Sequence, residues 1–450
     1  MSSHAPTHRA ATRAASRPAT MSRAGRIFLA VFLIVVFEGA IRKWVASAAT
    51  LPLILLRDLL ALYIVLYAWQ GGHFRRYQKV TKVLLAWTLL VVGWGLMQMV
   101  GGESTPTIFL IGLRFWLLYL WFAVAAAAAM TEADYRGAVR MAILVMIVLA
   151  PLAVLQYYSA PGATINRQLD GDEDSVFMAV AGVVRTTGTF SFTLGYSTYL
   201  MLVAPLVFAL LGARKYTLMQ RLFAIAGFGA FIIGSVVSGS RAAVLSAGVM
   251  LGAYLIARLV FSKTRDKPAA LGAVVLAAVL MAGFLVFFSD AIQVTQQRFE
   301  QASTDENFWD RLLSTFIGEP HVLKQVTWLG QGLGAGSNLA SSLYRGGVNF
   351  GLAESETGRI VLEGGLLGFA FVAFKLAVLL IGLAYALRLS IVRNTAFPMV
   401  LWITIVVGIM TWPAIGQLSA NAMLGLLLGY FLLLFRYPSS DFFLKRSSSS

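Results

Sequence analysis

Apolar runs long enough to cross a bilayer recur along almost the whole chain, and nothing else constrains its fold as much. A spanning helix needs about 20 mostly apolar residues. Twelve stretches meet that length: 26–44, 51–69, 82–100, 107–130, 138–158, 190–212, 221–238, 242–261, 268–288, 358–388, 396–412 and 419–436. Their apolar residues are continuous rather than alternating, which argues against strands of a β-barrel. Of the 450 residues 12% are charged and 58% hydrophobic, and the mean hydropathy is +0.77. An average soluble domain carries roughly 25% charged residues. The balance excludes a soluble enzyme, a disordered protein and a coiled coil. The chain has no cysteine, so thiol catalysis, thiolate metal sites and disulfides are excluded as well. The expected fold is an all-α integral membrane protein of about 12 transmembrane helices.

Basic residues orient the helices, because Lys and Arg gather in cytoplasmic segments. With the N-terminus inside, the cytoplasmic segments hold Arg9 to Arg26, Arg75 to Lys82, Arg136 and Arg140. They also hold Arg214 to Arg221, Arg258 to Lys267, Arg388 and Arg393, and Arg436 to Arg446. These are most of the 36 basic residues, and most of the 20 acidic residues fall on the other side. An even number of spans with both termini cytoplasmic follows. The net charge of +16 then reads as a topology signal with attraction to anionic lipid, and requires no nucleic-acid partner. Residues 1–25 form a basic cytoplasmic tail expected to be disordered, and 437–450 a second tail. Ala46-Ser47-Ala48 offers a signal-peptide cleavage site, but Glu38, Arg42 and Lys43 interrupt the apolar run before it.

Two outer segments are long: 159–189, within the block of spans one to nine (26–288), and 289–357, before the last three spans (358–436). A long loop on one side of a compact membrane protein usually carries function. In the second, 291–317 reads as helix, with Trp309, Leu312, Leu313 and Phe316 on one apolar face and Asp310, Arg311 and Ser314 off it. Such a helix lies on the membrane surface, roofs the spans or simply packs within the loop. Gly330-Gln331-Gly332-Leu333-Gly334-Ala335-Gly336 then marks a tight, permissive turn. No βαβ unit surrounds it, so it is not a dinucleotide fingerprint.

Outer arginines are few. Arg185 ends the first long loop, Arg241 lies in the tight turn between spans seven and eight, and Arg298, Arg311 and Arg345 lie in the large loop. Arg359 opens span ten. Guanidinium groups gathered at one mouth suit a diphosphate, which they bind bidentately without losing their protons. Interfacial anchoring or pairing with acids is the plainer explanation. Glu354, Glu356 and Glu363 follow at the loop–span junction, where a carboxylate can serve as general base. Glu363 falls inside the expected span, one turn from Arg359, with which it can pair. His321 is the one histidine of the outer segments, so no histidine pair forms a metal site there, and no metal is expected. Arg57-Asp58, Arg114 and Lys375 lie within spans. They either line a transport path or satisfy each other.

The order of these pieces resembles the bacterial O-antigen ligase/polymerase superfamily, the Wzy-like multi-span glycosyltransferases. Arg185…Gly188-Thr189-Phe190 resembles its R-x-x-G-T-F segment. Ser238-Gly239-Ser240-Arg241-Ala242-Ala243 resembles its S-x-S-R turn. Arg298-Phe299, Arg311 and the Gly330–Gly336 run resemble its large outer loop, and Glu363-Gly364-Gly365-Leu366-Leu367-Gly368 its E-x-G-L-L-G opening of the next span. The likeness covers roughly 180–370. It implies a GT-C-like fold with a large, partly helical periplasmic loop after span nine, in the bacterial inner membrane. The implied reaction is transfer of glycan from a polyprenyl-diphosphate carrier to an acceptor sugar hydroxyl at the periplasmic face, with no cofactor beyond that lipid-linked oligosaccharide. Arg185 and Arg241, helped by Arg311 or Arg359, would hold the diphosphate, and Glu356 or Glu354 would accept the proton. Arg298, His321, Arg345 and Glu363 are further candidates. A flippase and a chain-length regulator are implied partners. Ligases of the family commonly carry a His-Asn pair where this chain reads Glu354-Ser355-Glu356-Thr357-Gly358, which favours a polymerase over an O-antigen ligase. A twelve-span secondary transporter, with Arg114 and Lys375 on its path, is the reading from another class.

Overall fold

The computed structural model describes residues 21–167, 184–212, 217–261, 308–343 and 355–438, with isolated positions at 263, 267, 268, 271, 272, 275, 353 and 442. Its regular structure is helical. The helices are α1 (Arg23–Ala40, continued by a π-helical turn Ile41–Val45), α2 (Thr50–Gln70), α3 (Gln78–Val100) and α4 (Pro106–Ala129). They continue with α5 (Glu132–Tyr158), α6 (Thr193–Leu211), α7 (Leu218–Val237), α8 (Arg241–Phe261) and α9 (Phe308–Ile317). The last are α10 (Glu356–Gly364), α11 (Leu366–Arg393), α12 (Phe397–Thr411) and α13 (Leu418–Arg436).

Among the described residues, ten helical segments are long and apolar enough to cross a membrane. They match ten of the twelve expected spans. The stretch expected at 396–412 forms α12, apolar but only 15 residues long. The stretch expected at 268–288 lies largely outside the described residues.

Local chemistry sets several helix starts. Ser22 caps α1 by accepting the Gly25 amide, and Thr105 caps α4 with Pro106 behind it. Thr131 and Asp134 form a reciprocal capping box at α5, and Asp134 also accepts from the amide and hydroxyl of Ser22. Small residues let helices approach. The alanines of α4 pack on α13, where a Cβ at Gly425 would stand 2.8 Å from the Cβ of Tyr119. The central helix is α6, buried along almost its whole length.

The helices run alternately up and down, so their ends collect in two sets. At one end Arg436 donates to the carbonyls of Ala127, Ala128 and Met130, and Arg76 to that of Ala128. At the opposite end lie the segments 184–192, 238–241, 327–337 and 412–418 and helix α10. Every described motif of the sequence that resembles a family motif sits there.

Intramembrane charges pair with each other. Arg57 Nη1 donates to Glu38 Oε2 at 2.7 Å, and Arg114 binds Asp58 at 2.8 and 3.2 Å. Arg57 and Glu38 are almost inaccessible, so neither would be tolerated alone. Arg114 therefore belongs to a cluster of paired charges, although its Nη1 and the Nε and Nη2 of Arg57 are buried without a hydrogen-bond partner among the described residues.

Candidate active site at one end of the bundle

The 184–192 segment is held from below by α1 and α5. Lys43 Nζ donates to Thr187 Oγ1 at 2.7 Å and to the Gly188 carbonyl at 3.0 Å. The Gln156 amide grips Gly188 on both sides, accepting from its N–H at 2.8 Å and donating to its carbonyl at 3.2 Å. Thr189 donates to the Val36 carbonyl at 2.6 Å, and Arg42 Nη1 to Ser191 at 3.1 Å. The irregular stretch resembling R-x-x-G-T-F is thus clamped by Lys43, Gln156, Val36 and Arg42, and Arg185 leaves it half-buried.

Arg241 opens α8 directly after a tight turn. Gly239 takes φ +62 there, and a Cβ on it would stand 3.3 Å from the Cα of Arg185. Only glycine fits both the left-handed backbone and the close approach. Thr186 donates to the Val237 carbonyl at 3.1 Å, docking one motif on the other. Two arginines 56 positions apart are so brought within electrostatic reach. Half-burial, then the charge of Arg241, draws the Arg185 pKa down from its ordinary value. Arg185 Nε is buried with no hydrogen-bond partner among the described residues. Two cations in proximity, one with an unsatisfied donor, form a local field suited to a multivalent anion.

The glycine run and the E-x-G-L-L-G motif turn out to bind one another. Gly330, Gly332 and Gly334 all have positive φ, which turns successive amides inward. Glu363 accepts from Gly334 N at 2.9 Å, Gly336 N at 3.0 Å and Trp116 Nε1 at 2.9 Å. Gln98 ties the same assembly to α3, donating to the carbonyls of Leu329 and Glu363 and accepting from Leu333 N. Glu363 is expected inside span ten, one turn from Arg359, with which it can pair. Instead α10 ends at Gly364, the backbone turns at Gly365, and the spanning helix α11 starts at Leu366. Arg359 donates through Nε to the Ala353 carbonyl at 2.9 Å, and Glu363 is occupied by the glycine amides.

Glu356 stands at the start of α10, buried. Its Oε1 accepts from Ile415 N at 2.9 Å, while Oε2 has no hydrogen-bond partner among the described residues. Burial pushes its carboxyl up to about 7, against the pull of Lys375, the 414–415 amides and Arg359. A carboxyl in that range with a free oxygen is equipped to take and return a proton near neutral pH. Glu319 fixes the approach to it, accepting from the amide and hydroxyl of Ser355.

The helix expected over 291–317 is described as α9 from Phe308. Leu313, Phe316 and Ile317 face outward, whereas Ser314, expected off the apolar face, is buried. Helix α9 packs on α10 and α12 and presents Leu313, Phe316 and Ile317 away from the bundle. His321 is exposed on a short helical turn, Pro320–Leu323. Glu354, Arg298 and Arg345 lie outside the described residues, as does the side chain of Arg311. No group of three metal-ligating side chains occurs among the described residues.

Lys43, Gln156, Gln98 and Glu319 do structural work at this end, and the sequence reading assigned them no part in the site. Their one visible signal is a polar residue near the end of an apolar run or loop. No protein-family model and no curated protein matches this chain.

Proposed function

We propose that the chain is a membrane glycosyltransferase of the bacterial inner membrane, both termini cytoplasmic, that polymerises lipid-linked polysaccharide repeat units. The observation that carries this reading is the pairing of Arg185 with Arg241 at the bundle end that also holds Glu356 and the glycine run. In this reading the carrier's diphosphate sits against the two guanidinium groups, with Arg359 on the neighbouring α10. An acceptor sugar hydroxyl attacks the anomeric carbon, and a new glycosidic C–O bond forms. The C–O bond to the diphosphate breaks and its electron pair leaves with the diphosphate, whose growing charge the arginines stabilise. The hydroxyl proton passes to Glu356. Glu363 holds the loop rather than reacting, because its carboxylate already accepts three hydrogen bonds. The absence of histidine from residues 353–358 supports chain polymerisation over ligation to another acceptor.

The test is a deletion strain carrying either the wild-type gene or the Arg241→Ala variant, with lipid-linked and surface glycan resolved by length. Single repeat units accumulating on the carrier in both the deletion and the variant support the polymerase. Long polymer trapped on the carrier instead identifies a ligase. An unchanged ladder in the deletion removes the glycan reading, and near-normal polymer in an inserted Arg241→Ala protein removes the diphosphate clamp.

A further inference from the structure

The end of the bundle opposite the candidate active site carries a second concave surface. A pocket of about 420 Å³ opens there between α1 and the last two turns of α2, lined by Arg23, Tyr63, Tyr67, Gln70 and His73. The Arg23 guanidinium lies over the Tyr63 ring, 5.2 Å from its centroid, and the His73 ring packs 5.6 Å from that of Tyr67. Arg76 and Arg436 lie within electrostatic reach of His73. No carboxylate among the described residues lines the pocket. Asp134, at the same end, is engaged by Ser22 and Thr131. Positive charge is therefore concentrated around a cavity edged with amide and phenol donors. The hydroxyls of Tyr63 and Tyr67 and the amide of Gln70 have no hydrogen bonds among the described residues.

The second observation is what lies beside it. Leu62, Leu66 and Trp69 form an exposed apolar stripe on α2, with exposures of 45%, 50% and 62%. They are spaced at i, i+4 and i+7, so they run along one face of the helix. Beyond that stripe lies an apolar cavity of about 460 Å³ between α2, α3 and α4, lined by Leu62, Val65, Trp69, Leu117 and Trp121 among others. A polar, cationic pocket at a helix end thus adjoins a lipid-facing apolar track. A free anion would use only the first of these, whereas a phospholipid uses both.

We propose that this pocket binds the phosphate headgroup of an anionic phospholipid, with an acyl chain laid over the Leu62–Leu66–Trp69 stripe into the neighbouring apolar cavity. Arg23 supplies the fork-shaped donor for the phosphate, and Gln70 and the tyrosines complete its hydrogen bonds. The site is independent of the transferase reading, since it lies at the other end of the bundle.

The experiment uses the full chain, purified in detergent and exchanged into nanodiscs of phosphatidylglycerol or of phosphatidylcholine with the same acyl chains. Retained lipid is counted by native mass spectrometry. Wild-type protein is expected to keep phosphatidylglycerol under activation that strips phosphatidylcholine. Arg23→Gln should lower the retained fraction about fivefold, the loss expected for one interfacial cation. Arg75→Gln, an exposed cation at the same end that does not line the pocket, should leave it unchanged. Equal losses in Arg23→Gln and Arg75→Gln would mean diffuse charge attraction and overturn the site. Equal retention of phosphatidylcholine would overturn it too, and so would displacement of bound phosphatidylglycerol by millimolar inorganic phosphate. Should Arg23→Gln not yield a monodisperse protein, Gln70→Ala decides. It alters an exposed side chain, and unchanged retention in that variant refutes the proposal.

Discussion

Replacing Glu363 by Gln should release the glycine run from the bundle. The carboxylate accepts three hydrogen bonds inside the protein, two from the amides of Gly334 and Gly336 and one from Trp116. The best orientation of a glutamine amide keeps its oxygen at the Oε2 position, serving Trp116 and Gly334. Its NH2 then faces the N–H of Gly336, donor against donor. One charge-assisted bond is lost and two buried donors are left unsatisfied, a cost of about 3 kcal/mol. Unfolding entropy of about 2.1 cal/mol/K per residue, taken over 450 residues, makes this a fall of about 3 °C in the melting midpoint. Thermal denaturation of the detergent-solubilised protein reads it, and limited proteolysis around Thr327 and Trp328 reads the loosening of the loop directly. Glu363→Ala, which strands all three donors, should fall further. A Glu363→Gln protein that melts within about 1 °C of wild type, with its loop equally resistant, would refute the assignment of Glu363 as the anchor.

Three other outcomes are expected. Arg57→Met leaves Glu38 buried without its cation and should cost about 3–5 kcal/mol, read as a loss of monodisperse protein on size exclusion. The double variant Arg57→Met with Glu38→Gln should recover most of it. The Glu356 carboxyl stands at about 7 in the fold against an ordinary 4.5, so the folded state holds its proton more tightly than the unfolded state. Its contribution lowers stability as pH rises from about 4.5 to about 7, and Glu356→Gln should lessen that fall in a series of melting curves. Lys43→Met removes the donor to Thr187 Oγ1 and leaves the Gly188 carbonyl, under Arg185, with the Gln156 amide as its remaining side-chain anchor; it should reduce polymer length in the complementation assay, while Lys43→Arg retains part of it.

Much of the architecture was legible in the residues themselves. A 20-residue apolar run has to satisfy its backbone internally wherever it lies in lipid, so length and hydropathy suffice to find a helix. That logic located ten helices long and apolar enough to span, and the short apolar α12. It set the start of span ten at 358, because residues 358–388 are apolar enough to join two helices. The break at Gly364–Gly365 packs against the carbonyls of Thr327 and Trp328 and the amide of Gly330, and Leu366 N donates to the Trp328 carbonyl, all partners far away in the chain. The outward turn of Leu313 and Phe316 similarly depends on what α9 packs against rather than on its own period.

The candidate site divides along the same line. Sequence by itself determined the apolar helices of a membrane class and the tight turns carrying Arg241 and the glycine run. Those properties live in local composition and spacing. Only the tertiary structure decided which residues meet. It put Arg241 beside Arg185 across a glycine that tolerates the approach, and gave Glu363 to the Gly334 and Gly336 amides instead of to Arg359. It also placed Lys43 and Gln156 beneath the loop that carries Arg185, and matched Arg57 with Glu38 and Arg114 with Asp58. The physical reason is that burial makes every unpaired polar atom expensive, so each buried group takes the partner the packing brings within reach, however distant that partner is along the chain.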